Sequence, residues 1–155
     1  MIIGPVTGFV PRPYQEHCIN GGDPRRGIGI MPAFARYKRV LAVMATGTGK
    51  TELYLAIARR FLESPKTPAD KRVLILAHRD ELVSQPIERS PRFGLALARE
   101  QGRESGVGRI ERVVASTIQS MSKRLAQYKP EEIGLIVIDE AHHGPANDYA
   151  ELLEY

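Results

Sequence analysis

The stretch Ala45-Thr46-Gly47-Thr48-Gly49-Lys50-Thr51 decides how the rest of this chain is read. An apolar run, Val40-Leu41-Ala42-Val43-Met44, leads into it and predicts a strand. Leu53, Tyr54, Ile57, Ala58 and Phe61 fall on one face of a helix predicted over 50–63. A strand, a glycine turn and a helix opening on Lys-Thr form the setting that a phosphate-binding loop requires. Glycine lets the backbone turn tightly enough for several N–H groups to face one anion. The helix N-terminus adds partial positive charge at the same place. In such a loop Thr46, Gly47, Thr48 and Gly49 line the phosphates. Lys50 reaches the β- and γ-phosphates, and the Thr51 hydroxyl holds Mg²⁺.

A second apolar run, Leu135-Ile136-Val137-Ile138, ends on Asp139-Glu140-Ala141-His142. It predicts a strand that delivers two adjacent carboxylates to one edge of a sheet. Asp139 suits Mg²⁺, and Glu140 suits a water that attacks the γ-phosphate. Two acids are needed because one carboxylate cannot serve metal and nucleophile together. His142 and His143 have no Cys or His partner at zinc-like spacing, so zinc is not expected.

Between these signals the chain alternates strands and helices, which argues for a parallel α/β sheet. Val73-Leu74-Ile75-Leu76-Ala77 has the continuous apolar character of a strand buried on both faces. The octapeptide His78-Arg79-Asp80-Glu81-Leu82-Val83-Ser84-Gln85 follows at its carboxyl end, where ligands of such sheets gather. Arg79 there suits a phosphate; an ordinary turn with solvated charges fits as well. Pro86 should kink the helix that follows, and Ser90-Pro91 should end it. A short strand is expected within Phe93–Ala98 and another over Arg112–Ser116. A helix is expected from Thr117, with Ile118, Met121, Leu125 and Tyr128 at helical spacing. Ser116 and Thr117 again lie at a strand's carboxyl end, where either N-capping or ligand contact suits them. Upstream, residues 1–11 read as an irregular lead-in. A short helix is expected from Pro13 to about Ile19, with Pro in the first turn. Residues 20–39 are the least regular, locally basic part, and Asn147–Tyr155 reads as the start of a helix.

Taken together, Arg12–Gln15, Ala45–Thr51, Ala77–Gln85, Ser116–Gln119 and Asp139–His142 resemble the motifs of the first RecA-like domain of superfamily 2 DEAD/DEAH-type helicases. The likeness is strongest to the branch with the helicase subunits of type I and type III restriction enzymes. It covers about residues 12–155. It implies an α/β P-loop NTPase fold, a RecA-like parallel sheet flanked by helices. It also implies ATP and Mg²⁺ as cofactors and ATP hydrolysis that drives movement along DNA. In the family, Arg12 and Gln15 correspond to the adenine-reading segment; a glutamine amide donates and accepts at once, as the N6/N7 edge of adenine asks. Arg79, Ser116 and Thr117 correspond to nucleic-acid contacts, and His142 to a residue coupling the two activities. His142 and His78-Arg79-Asp80-Glu81-Leu82 favour a duplex-DNA enzyme over an RNA helicase. A nucleotide- or DNA-binding fragment without motor activity is the other reading.

The chain departs from the family pattern in three places. The general loop begins with Gly where Met44 stands. No Ser/Thr-Ala-Thr motif follows Asp139–His142, so the sheet is expected to stop before a central strand. No second RecA-like domain with its arginines is seen. A finger arginine is worth about 10³–10⁵ in rate, so these residues alone are expected to hydrolyse ATP very slowly and to be poorly stable.

The totals narrow the classes further. A length of 155 residues gives one domain as the prior. A net charge of +4 permits a nucleic-acid partner without demanding one. The single cysteine, Cys18, rules out an internal disulfide. No apolar run approaches the roughly 18 residues that span a membrane, and Met1–Pro5 does not read as a signal peptide. A cytoplasmic protein is expected. With no Trp, tracking of a phosphate backbone is favoured over base stacking.

Overall fold

The computed structural model describes residues 8–22 and 27–141, with residues 152 and 154. Four parallel strands make one sheet: β1 (Arg72–Ala77), β2 (Leu97–Glu100), β3 (Val113–Thr117) and β4 (Ile133–Ile138), in the order β2-β3-β1-β4. Among the described residues these α-helices accompany them: α1 (Pro13–Asn20), α2 (Ile30–Phe34), α3 (Lys50–Glu63), α4 (Asp80–Arg89) and α5 (Ile118–Ser122). The order of strands changes side at β1, with β3 on one flank and β4 on the other. Such a switch opens a crevice at the carboxyl ends of the strands.

Alternation along β1 explains why helices cover both faces. Val73 and Ile75 pack with α3, whose Leu53, Tyr54, Leu55 and Ile57 belong to the same buried cluster. Leu74 and Leu76 point the other way, toward Ile118, Met121, Leu125, Tyr128 and Leu152. Every residue of β1 is buried, as expected of a central strand in a parallel sheet. The fold class read from the sequence is therefore the one observed.

The sequence reading needs correction in several places. Val40–Met44 is not in the sheet; Leu41 and Val43 are 80% and 88% exposed. A strand exists only where a ladder partner takes its backbone groups, and none of the four strands pairs with this segment. The short strand expected within Phe93–Ala98 lies later, at Leu97–Glu100, because Ser90–Phe93 forms a 3₁₀ turn closed by Gly94 in the left-handed region, φ 64°. The helix from Thr117 stops at Ser122. Its continuation is a separate 3₁₀ turn over Leu125–Gln127, set off by Arg124, whose guanidinium reaches the buried Glu100. Helix α4 contains Pro86 and ends at Arg89, just before Ser90-Pro91, where an end was expected. Residues 20–39, read as irregular, contain α2. Most of the expected Asn147–Tyr155 helix lies outside the described residues.

Glu100 binds the β2 end of the sheet to the loop after it. Its carboxylate accepts from the Tyr128 hydroxyl at 2.6 Å, the Gly106 N–H at 2.8 Å and the Ser105 hydroxyl at 3.1 Å, and it pairs with Arg124. Burial raises its pKa, but these donors together outweigh burial and hold it below the ordinary carboxylate range.

Candidate nucleotide site

The glycine loop and the acid pair meet. Lys50 Nζ lies 2.5 Å from Glu140 Oε1, although the two are far apart in sequence. Lys50 is placed by α3, which opens at that residue, with Gly49 as its N-cap in the left-handed region. Gly47 and Gly49 both hold φ of 79°, a conformation that favours glycine. The turn is tightened by Thr48, whose hydroxyl donates to the Ala45 carbonyl at 2.6 Å. Thr46 and Gly47 form the exposed tip of this turn. Thr51 follows in the first turn of α3 and is 6% exposed.

Strand β4 brings the acids. The Asp139 N–H donates to the Leu76 carbonyl at 2.8 Å, so the β1–β4 pairing continues one residue past the strand. The chain then turns sharply. Glu140 has φ of 52°, the only non-glycine residue with positive φ among the described residues. For a non-glycine residue that conformation costs about 1–2 kcal/mol, and it swings the Glu140 side chain toward Lys50. Asp139 Oδ1 accepts the Glu140 N–H at 3.0 Å.

Burial raises the Asp139 pKa above the ordinary carboxylate range, and the Glu140 carboxylate raises it further; Lys50 and the Glu140 N–H oppose both. A carboxylate in that condition gains from a cation. Among the described residues, no group of three or more His, Cys, Asp or Glu could hold a metal ion. A metal here would take one or two protein groups and complete its shell with phosphate and water, which is the habit of Mg²⁺. Thr51 and Asp139 fit that demand.

The raised pKa has a sign that can be checked. The folded chain binds this proton more tightly than the unfolded chain. The contribution of Asp139 to stability is therefore present below the ordinary Asp pKa, near 3.9, and is lost as pH rises through the raised value. Asp139→Asn removes the effect. In metal-free urea unfolding, the variant should gain on the native chain as pH rises above about 4 and until the raised pKa is passed. A difference that stays level with pH would show that Asp139 is not perturbed.

Helix α1 lies against the loop. The Tyr14 hydroxyl donates to the Thr48 carbonyl at 2.7 Å, and Gln15 Nε2 donates to the carbonyls of Thr48 and Gly49 at 3.4 and 3.3 Å. Gln15 Oε1 accepts the Arg12 N–H at 3.0 Å. The buried Gln15 amide is thus engaged at both ends by the protein itself. Arg12 is exposed beside it. Tyr14 is a contact that the motif reading passed over, although it stands within the quoted Arg12–Gln15.

The residues proposed to touch nucleic acid fare differently. Arg79 is exposed at the N-cap of α4, at the carboxyl edge shared with Asp139. Ser116 is fully buried, and its hydroxyl donates to the Glu100 carbonyl at 2.7 Å. Thr117 is buried too, and its Oγ1 accepts the Ser120 N–H at 3.1 Å as the N-cap of α5. His142 lies outside the described residues.

Comparison with known proteins adds the family. The description "Type III restriction enzyme, res subunit" matches residues 8–155. The chain belongs to that family. Relatives of this chain include the putative mitochondrial ATP-dependent helicase irc3 of Schizosaccharomyces pombe, 32% identical over 149 residues, which cover 93% of this chain and 23% of that protein. The putative ATP-dependent helicase IRC3 of Saccharomyces cerevisiae is 30% identical over 152 residues, covering 94% of this chain and 21% of the relative. The type I restriction enzyme EcoAI endonuclease subunit of Escherichia coli is 33% identical over 159 residues, covering 96% and 18%. The chain therefore spans about a fifth of the length of these curated relatives. No helix among the described residues is long and apolar enough to cross a membrane.

Proposed function

We propose that this chain is the ATP-binding part of a DNA helicase or translocase, hydrolysing ATP with Mg²⁺ to move along DNA. The observation that carries this reading is the Lys50–Glu140 contact, which joins the glycine loop to the acid pair at one edge of the sheet. In this reading Lys50 exchanges Glu140 for the β- and γ-phosphates when nucleotide enters, and Glu140 turns to the attacking water. The loop amides of Thr46–Gly49 cradle the phosphates. Thr51 and Asp139 would hold Mg²⁺, which would supply positive charge to the phosphates. Arg12 lies beside the adenine. Gln15 reads it, exchanging its loop carbonyls for the base edge or keeping them while one end turns.

For nucleic acid, exposed Arg79 is the residue offered to a phosphate; Thr117 and Ser116 shape the edge from beneath. The relatives' names, ATP-dependent helicase and restriction-enzyme subunit, support a nucleic-acid substrate. We read the residues as part of a longer motor in which a second RecA-like domain supplies further arginines. His142 is offered as the coupling residue. The compartment is intracellular in this reading; one relative is named mitochondrial, so the cytoplasm is one choice among intracellular sites.

The test is ATP hydrolysis by the complete protein with duplex DNA, with RNA and with neither. Duplex DNA should raise turnover several-fold and RNA should not. Equal rates in all three would leave a nucleotide-binding protein without a motor. Stimulation by RNA alone would move it to the RNA helicases.

A further inference from the structure

Helix α4 touches the opening turn of α3 at two points. Arg89 Nη1 donates to Glu52 Oε1 at 2.8 Å, an ion pair that fixes the two helices side by side. Closer to the loop, the Thr51 hydroxyl donates to Gln85 Oε1 at 3.5 Å. Tyr54, next along α3, is buried, and burial raises its phenol pKa; Thr51, Asp139, Arg89 and Glu52 all act on it. A small polar cluster from two helices thus surrounds the one hydroxyl assigned to the metal.

A hydroxyl has one proton and two lone pairs. If its oxygen binds a cation, the proton needs an acceptor elsewhere. Gln85 Oε1 accepts and cannot donate, so it selects the rotamer in which the Thr51 lone pairs are free. The 3.5 Å separation is at the outer limit of a hydrogen bond. A cation drawing charge from the oxygen makes the O–H a better donor and shortens the bond. Outer partners of this kind tune metal sites by orienting the ligand.

On the reading of Thr51 as a Mg²⁺ group, we propose that Gln85 is a positioning residue for that metal, holding the Thr51 hydroxyl by its proton. Helix α4 then serves both ends of the site: Arg79 caps its start, and Gln85 reaches the metal's ligand from the turns that follow.

The test uses Mn²⁺ as the probe, bound to the complete protein with ADP and followed by electron paramagnetic resonance of the free ion. Gln85→Met keeps the length of the side chain and removes the acceptor. It should weaken Mn²⁺ binding about tenfold, the lower range for lost outer partners. ADP binding measured in EDTA should be unchanged. Gln85→Glu keeps an accepting oxygen and should restore Mn²⁺ affinity at least to the native level. Thr51→Ala should weaken Mn²⁺ by a similar factor, and the double variant Thr51→Ala/Gln85→Met should be no worse than Thr51→Ala alone. Weakening by Thr51→Ala without weakening by Gln85→Met would overturn the role of Gln85 and leave the site reading intact. No weakening by either would overturn the assignment of Thr51 itself. Failure of Gln85→Glu to restore affinity would mean that packing, not the acceptor, matters. Should Gln85→Met fail to fold, Gln85→Ala takes its place with the same expected results.

Discussion

Glu140→Gln will leave ATP bound and uncleaved. The substitution keeps size and shape but removes the charge that draws a proton from water. General-base catalysis contributes about 10²–10⁴ in rate, so turnover should fall by that factor. Nucleotide affinity should hold or rise. Lys50 Nζ sits 2.5 Å from Glu140 Oε1, and a neutral amide competes less for it, so the ammonium is freer for phosphate. Single-turnover hydrolysis and binding of a fluorescent ATP analogue separate the two effects. Loss of binding together with rate would show that Glu140 acts by holding the loop.

Lys50→Ala should do the reverse. It removes the cation that meets the phosphates and leaves the Glu140 carboxylate facing the loop without the Lys50 ammonium. Truncating one partner of a close charge pair costs about 2–5 kcal/mol, which corresponds to roughly 30-fold to several thousandfold in ATP affinity. Equilibrium dialysis with labelled ATP reads it directly. The double variant Lys50→Ala/Glu140→Gln should recover part of the loss, because the repulsion between Glu140 and the incoming phosphates is then gone. Affinity unchanged in Lys50→Ala would place the phosphates elsewhere.

Much of this site could be read from residues close together in the chain. Gly47-Thr48-Gly49-Lys50-Thr51 encodes its own turn, since positive φ at two positions asks for glycine and the helix start asks for nothing distant. β1 was visible as an uninterrupted apolar run, because a strand covered on both faces needs no alternation. β4 was visible by the same kind of run, although Leu135 is the one residue of it that is buried. What stayed hidden depends on partners far along the chain. Ser116 looks like a surface ligand at a strand end, yet β2 lies beside β3 and offers the Glu100 carbonyl that draws its hydroxyl inward. Val40–Met44 has the composition of a strand, but composition does not say whether a neighbour exists to pair with it. The Gln85–Thr51 contact joins two helices whose faces only the packing reveals. The left-handed turn at Glu140 has no glycine to announce it.

The outer rail of β4 has no ladder partner among the described residues, and Leu41 and Val43 stand bare. An edge strand and exposed apolar side chains each favour association between copies as concentration rises. The shelf life of the purified chain should therefore fall with concentration, which light scattering of a dilution series would read.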